Sequence, residues 1–154
     1  MDNRPIGVFD SGIGGLTVVD ALARGLPKET IVYIGDTARV PYGNKSRNRI
    51  RQYAKEITTW LIKKDCKIII VACNTASAVA LKYLQSIFSI PIIGVIESGV
   101  KKGIQMCQNN KIAVLGTAAT IRSNAYGERI NSVKPEAFVI SQACPLFVHL
   151  VEEG

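Results

Sequence analysis

The run Ile68-Ile-Ile-Val-Ala72 constrains this chain more than any other stretch. An unbroken series of apolar, mostly β-branched residues fits a strand covered on both faces, as in a parallel sheet. The run stops at Cys73, and Asn74 suits the N-cap of a helical pattern that begins at Thr75. A thiol is thereby delivered to the carboxyl end of a buried strand, at the mouth of a helix N-terminus. The partial positive charge there favours a thiolate and predicts a lowered pKa. Such a position suits a nucleophile or a base acting on a carbon acid, and it equally suits a small apolar cysteine packed for its volume.

The rest of the chain repeats the pattern. Ile6-Gly-Val-Phe9 reads as a first strand, followed by the glycine-rich turn Asp10-Ser-Gly-Ile-Gly-Gly15 and a helix through Leu16, Val19, Leu22 and Ala23. Ile31-Val-Tyr-Ile34 is a second strand, and the loop from Gly35 to Asn44 carries Asp36, Pro41, Tyr42 and Gly43. A clear amphipathic helix follows, with Ile50, Tyr53, Ala54, Ile57, Trp60 and Leu61 on its apolar face; Trp60 reads as core. After the central strand, its helix buries Ala80, Leu84, Ile87 and Phe88. Further strands are expected at 91–95, 111–115 and 137–140, with helices from Glu97 to about Cys107 and through Ile121, Ala125, Arg129 and Ile130.

Alternation of this kind, with connections too long for hairpins, predicts an α/β fold: a mainly parallel sheet with helices on both faces. Ligands of such sheets gather at the carboxyl ends of the strands. Those ends are Asp10-Ser11, Asp36 to Gly43, Cys73-Asn74-Thr75 and Thr117 to Thr120. The connection near Glu97 to Gly99 divides the chain into a first α/β domain, residues 1–97, which carries Cys73, and the start of a second, residues 98–154. The second reads as incomplete, because its last strand has no evident partner.

Composition removes several classes of function. At 47% hydrophobic and a mean hydropathy of +0.19, the chain matches a sheet buried on both faces. No apolar run approaches the ~18 residues of a membrane span, and no secretory signal is visible, so a cytoplasmic protein is expected. The four cysteines, Cys66, Cys73, Cys107 and Cys144, are widely spaced and accompanied by one histidine, His149. That spacing argues against a zinc site, and a reduced cytosol argues against disulfides, so no metal is expected. The net charge of +7 is partly concentrated in Lys45-Ser-Arg-Asn-Arg-Ile-Arg51. Without interleaved aromatics or a recognisable module, this run reads as a solvated loop and helix start rather than a nucleic-acid surface. The same charge would attract a small dianion.

Gly12 and Gly14, with Asp36 at the end of the second strand, invite a dinucleotide reading. Thr17 stands where a third glycine belongs, and Asp10 would oppose a pyrophosphate, so that reading is set aside. A small acidic or zwitterionic ligand fits better. Backbone amides near Ser11, Gly43, Thr75 and Thr117 suit carboxylates, and the hydroxyls of Ser11, Thr75, Thr117 and Thr120 and the Asn74 amide supply neutral hydrogen bonds. Asp10 suits an ammonium group or the orientation of Cys73. With no evident cofactor, the expected chemistry is proton abstraction next to a carboxylate.

Five motifs in order, Phe9-Asp-Ser-Gly-Ile-Gly-Gly-Leu16, Gly35-Asp-Thr-Ala-Arg-Val-Pro-Tyr-Gly43, Val71-Ala-Cys-Asn-Thr-Ala-Ser77, Gly116-Thr-Ala-Ala-Thr120 and Cys144-Pro-Leu-Phe-Val148, together resemble the glutamate racemases of the aspartate/glutamate racemase superfamily. The resemblance implies two similar α/β domains and a cofactor-independent interconversion of L- and D-glutamate, which supplies the D-isomer for peptidoglycan. It implies a pair of cysteines on opposite sides of the α-carbon. Cys73 matches the first, Asp10 the carboxylate that assists it, and Glu152 a carboxylate near the second thiol. Ser11, Pro41, Tyr42, Gly43, Asn74, Thr75, Thr117 and Thr120 match substrate-binding positions. A homodimer is compatible with it.

Two departures temper the resemblance. The second cysteine of the family lies in a Cys-Thr-His motif beyond Gly154, and Cys144 belongs to a different motif and reads as structural. The expectation is therefore that this chain alone does not racemise. His149 stands where relatives usually have proline and reads as a tolerated substitution. An aspartate or other amino-acid racemase of the superfamily, and a non-catalytic binding fragment, are the alternatives.

Overall fold

The computed structural model describes residues 2–153, with side chains as far as Val151. In chain order the elements are β1 (Ile6–Asp10), α1 (Leu16–Gly25), β2 (Ile31–Gly35), a 3-10 turn (Tyr42–Asn44), α2 (Arg47–Lys63), β3 (Ile68–Val71), α3 (Asn74–Ile87), β4 (Ile92–Gly94), α4 (Ile96–Met106), β5 (Lys111–Gly116), α5 (Ala118–Ser123), α6 (Ala125–Val133), β6 (Phe138–Ala143) and α7 (Leu146–Glu153). The strands form two parallel sheets, one in the order β2-β1-β3-β4 and one pairing β5 with β6. The α/β reading holds, divided between two sheets.

Side-chain alternation along β1 and β3 explains why the first sheet needs a helix layer on each side. Ile6, Val8, Ile70 and Ala72 point to one face, where Val18, Val19 and Leu22 of α1 cover them. Phe9, Ile69 and Val71 point to the other, into a larger core with Ile50, Ala54, Ile57 and Leu61 of α2 and Ala76, Ala80 and Leu84 of α3. The second sheet has a core of its own, in which Val114 packs with Ile96 and Val100 of α4 and Ile130 of α6. Its other face is open: Leu115, Phe138 and Ile140 are each more than half exposed.

Several local expectations are corrected. Trp60 is 43% exposed and lies beneath the Lys64 ammonium, 4.9 Å from its ring centroid; Leu61 instead continues the stripe of Ile50, Ala54 and Ile57. Ile87 is also exposed, beyond the point where Leu84 ends the buried stripe of α3. The helix expected across 121–130 is two helices, because Asn124 adopts a left-handed conformation, with φ 54°, that an α-helix cannot continue through. The strand expected at 137–140 runs instead from Phe138 to Ala143. Cys73, not Asn74, is the N-cap of α3.

Leu61 is fully buried between α2 and the sheet. Leu61→Ala is expected to lower the free energy of unfolding by about 2–5 kcal/mol in urea denaturation. Met106→Ala, at a side chain 69% exposed, should change it by less than about 1 kcal/mol.

Candidate functional site

The carboxyl ends of β1, β3 and β5 open onto a cleft of about 530 Å³. Seven of the side chains expected from the sequence line it: Asp10, Ser11, Cys73, Asn74, Thr75, Thr117 and Thr120. Each reaches the cleft because its strand ends there and a helix turns away behind it.

At the end of β1 the Asp10 carboxylate folds back into the glycine loop. Its Oδ2 accepts the N–H of Gly15 (2.8 Å) and of Gly12 (3.3 Å). A side chain at Gly15 would place its Cβ 2.5 Å from that of Asp10, so glycine is required for the close approach. The loop amides that a pyrophosphate would need are thus committed to a carboxylate of the chain itself. This is the physical ground for leaving the dinucleotide reading aside.

Cys73 follows β3 after Ala72 and is 4% exposed. Its thiol donates to Ser11 Oγ (3.4 Å), and its sulfur accepts the Ala76 N–H (3.4 Å) in the first turn of α3. The lowered pKa expected from the helix terminus is overturned. Burial, with the Asp10 charge adding to it, pushes the thiol from 9.0 up to about 11. The hydrogen bonds from Ser11 and Ala76 favour the thiolate but are outweighed. Cys73 is a neutral thiol at rest.

In the same cleft, three threonines join the two parts of the chain. Thr75 Oγ1 lies 2.8 Å from Thr117 Oγ1 and 3.2 Å from Thr120 Oγ1, and the last two are 3.0 Å apart. Three hydroxyl protons can satisfy these three contacts in a ring. Thr117 also caps α5, accepting the Thr120 N–H at 3.3 Å. Thr75 and Thr120 are almost fully buried, so the ring is shielded from competing water.

Pro41, Tyr42 and Gly43 do not line the cleft; they lie behind it. The Tyr42 phenol donates to Asp36, which also accepts Arg39 Nε (2.9 Å), and Arg39 continues to Glu56 (2.6 Å). Burial first, then Asp36, raises the Tyr42 pKa far above its ordinary value. Gly43 is pressed against Thr117: an added Cβ would come within 2.5 Å of the threonine Cβ. The loop thus braces the threonine ring from beneath. Glu152 lies outside the described side chains.

Tyr126 was not anticipated. Its hydroxyl donates to Asn74 Oδ1 (2.5 Å) and its ring forms part of the cleft wall. It belongs to no motif, and its only sequence signal is an aromatic residue in a helical pattern. The apolar wall of Phe147, Val148 and Val151 from α7 was missed as well. Cys66, Cys107, Cys144 and His149 do not line the cleft. Among the described residues no cluster suited to a metal ion occurs, and no helix is long and apolar enough to cross a membrane.

Residues 6–151 match the family described as Asp/Glu/Hydantoin racemase. The chain belongs to this racemase family. It is 55% identical over 153 residues to a glutamate racemase of Chlorobaculum tepidum, covering 99% of this chain and 56% of that protein. The figures for a glutamate racemase of Geobacter metallireducens are 50% over 151 residues, 98% and 56%. Among solved structures, a glutamate racemase isoform from Bacillus anthracis superposes with a TM-score of 0.94 at 42% identity, over 98% of this chain and 57% of that one. The Francisella tularensis glutamate racemase in complex with D-glutamate gives 0.92 at 50% identity, over 100% and 58%. The chain therefore spans a little over half the length of the racemases that it matches.

Within this racemase fold the resting state of Cys73 is open to direct measurement. Alkylation of Cys73 by iodoacetamide, followed on its own peptide by mass spectrometry, should rise with pH to a midpoint near the value of about 11 given by burial and Asp10. Asp10→Asn should move that midpoint down. A folded pKa above the ordinary 9.0 means that Cys73 contributes stability that is whole below about pH 9 and is lost as pH rises through about 11.

Proposed function

We propose that this chain forms one half of a glutamate racemase site, in which Cys73 moves the α-proton on one face of the amino acid. The observation that carries the proposal is the cleft itself, where Cys73, Asp10 and the threonine ring meet at converging strand ends. The similarity to glutamate racemases along nearly the whole chain supports glutamate as substrate.

The chemistry follows from the charges. The α-ammonium of an amino acid placed beside Asp10 brings a positive charge to a thiol held neutral by burial and by that carboxylate. An opposite charge nearby lowers the thiol pKa, so in the complex the thiol gives up its proton to water and the thiolate that remains is the base. The thiolate then takes the α-proton, and the electron pair left on carbon delocalises into the α-carboxylate. Thr75, Thr117, Thr120 and Asn74 supply hydrogen bonds, stronger as that charge grows, if their protons turn from one another to the ligand. Ser11 and the Ala76 amide steady the sulfur. Reprotonation from the other face completes racemisation and needs a second acid there; none of the other cysteines lines the cleft. In this reading Glu152 assists that second group, Pro41, Tyr42 and Gly43 fix the substrate pocket from behind, and no cofactor takes part.

Residues 1–97 and 98–154 are proposed as two domains, a division supported by the separate sheets. Supply of D-glutamate for peptidoglycan in the cytoplasm is the corresponding cellular role.

Incubation with D-glutamate in deuterated water tests the reading. The chain is expected to exchange the α-proton with retention, and Cys73→Ala to abolish exchange. L-glutamate formed by residues 1–154 alone would refute one-sided chemistry. In the complete protein, Cys73→Ser should reduce racemisation by at least about a hundredfold, and preference for aspartate over glutamate would overturn the substrate assignment.

Thr75→Val removes one member of the hydroxyl ring without changing side-chain shape. Racemisation kinetics of the complete protein should show a fall in kcat/KM of about tenfold, the weight of one hydrogen bond to a charged group.

A further inference from the structure

Away from the cleft, Lys45, Arg47 and Arg122 surround a second hollow of about 90 Å³. Its floor is formed by Ile50, Val79 and Ala119, all buried. Lys45 and Arg47 stand at the entry to α2 and Arg122 in the last turn of α5, so cations from distant parts of the sequence converge on one small space.

Three other arginines have partners. Arg39 pairs with Asp36 and Glu56, Arg129 pairs with Glu97, and Arg51 lies over the Tyr83 ring and donates to the Val79 carbonyl. Among the described residues, Lys45, Arg47 and Arg122 have no carboxylate within ion-pair distance. The charge is also placed against the helix. The first turn of α2 holds Arg47 and Arg49 and no acidic residue, at the end where the macrodipole is already positive. Three cations gathered at one hollow repel one another, through solvent in the case of the exposed Arg47 and Arg122. A bound anion would reverse the sign of that energy.

The geometry points to a binding site for a phosphate-type dianion, either inorganic phosphate or the phosphate of a small monoester, held by Lys45, Arg47 and Arg122. Two guanidinium groups suit the paired oxygens of a phosphate, and the ammonium adds a point charge. The hollow has room for one tetrahedral oxyanion, and an ester's organic part would extend into solvent. An occupied site would tie α5, which begins behind Thr117, to the start of α2. It would thereby brace the threonine ring from the side away from the cleft.

The inference does not rest on the racemase reading, because its test measures binding. Isothermal titration of the protein at pH 8 with inorganic phosphate, and separately with glycerol phosphate, is performed at fixed ionic strength with chloride as the balancing anion. Saturable binding of one equivalent is expected. Arg47→Gln and Arg122→Gln, both at exposed positions, should each weaken it about tenfold or more, whereas Lys28→Gln, in the turn before β2, should not. Tighter binding of glycerol phosphate would assign a monoester, and equal or weaker binding the free ion. Heats that do not saturate, or affinities unchanged in both arginine variants, would overturn the site.

Discussion

The carboxylate of Asp10 occupies the place in its glycine loop that an incoming anion takes in many loops of similar shape. By accepting the Gly12 and Gly15 amides, it ties the end of β1 to the start of α1. The same negative charge stands near Cys73 and, together with burial, keeps the sulfur protonated. One side chain thus shapes the loop and sets the resting charge of the thiol. Its two roles are inseparable: a loop built to hold a ligand phosphate would have left the thiol without that restraint.

The threonine ring is the second polar group of the cleft. Thr75 comes from the first sheet's layer, and Thr117 and Thr120 from the segment after β5. Gly43 supports Thr117 from behind, and the Tyr42–Asp36–Arg39–Glu56 chain holds the loop that carries Gly43. Polar contacts that look scattered along the sequence therefore form one continuous brace, mostly buried, with the ligand-facing hydroxyls at one end and a half-exposed ion pair at the other. Networks of this kind hold geometry more firmly than their separate bonds would suggest.

The parts legible in the sequence were those governed by local chemistry. An unbroken β-branched run specified β3 and the short apolar stretch Ile6-Gly-Val-Phe9 specified β1, and the residues that ended each strand specified most of the cleft, since Asp10, Cys73 and Thr117 need only the strand-end rule to be placed together. What escaped was decided by tertiary surroundings. The helix terminus at Cys73 could be read locally, but the burial and neighbouring charge that reverse its effect could not. Trp60 falls at the margin of the apolar stripe of α2, where solvent exposure depends on what lies beyond the helix. Tyr126 reaches Asn74 across 52 positions of sequence, a pairing that no periodicity encodes.

The alternation along β3 has a consequence for how this protein tolerates change. Ile69 and Val71 serve one core while Ile70 and Ala72 serve the other, and β3 pairs with strands on both sides in a single register. A deletion of one residue before Cys73 would exchange those two sets and carry the sulfur toward the wrong helix layer. The position of the thiol is therefore guarded by the greasy residues ahead of it. Changes in length should survive in the loops of this chain, while between Ile68 and Cys73 the spacing itself is under the control of the hydrophobic core.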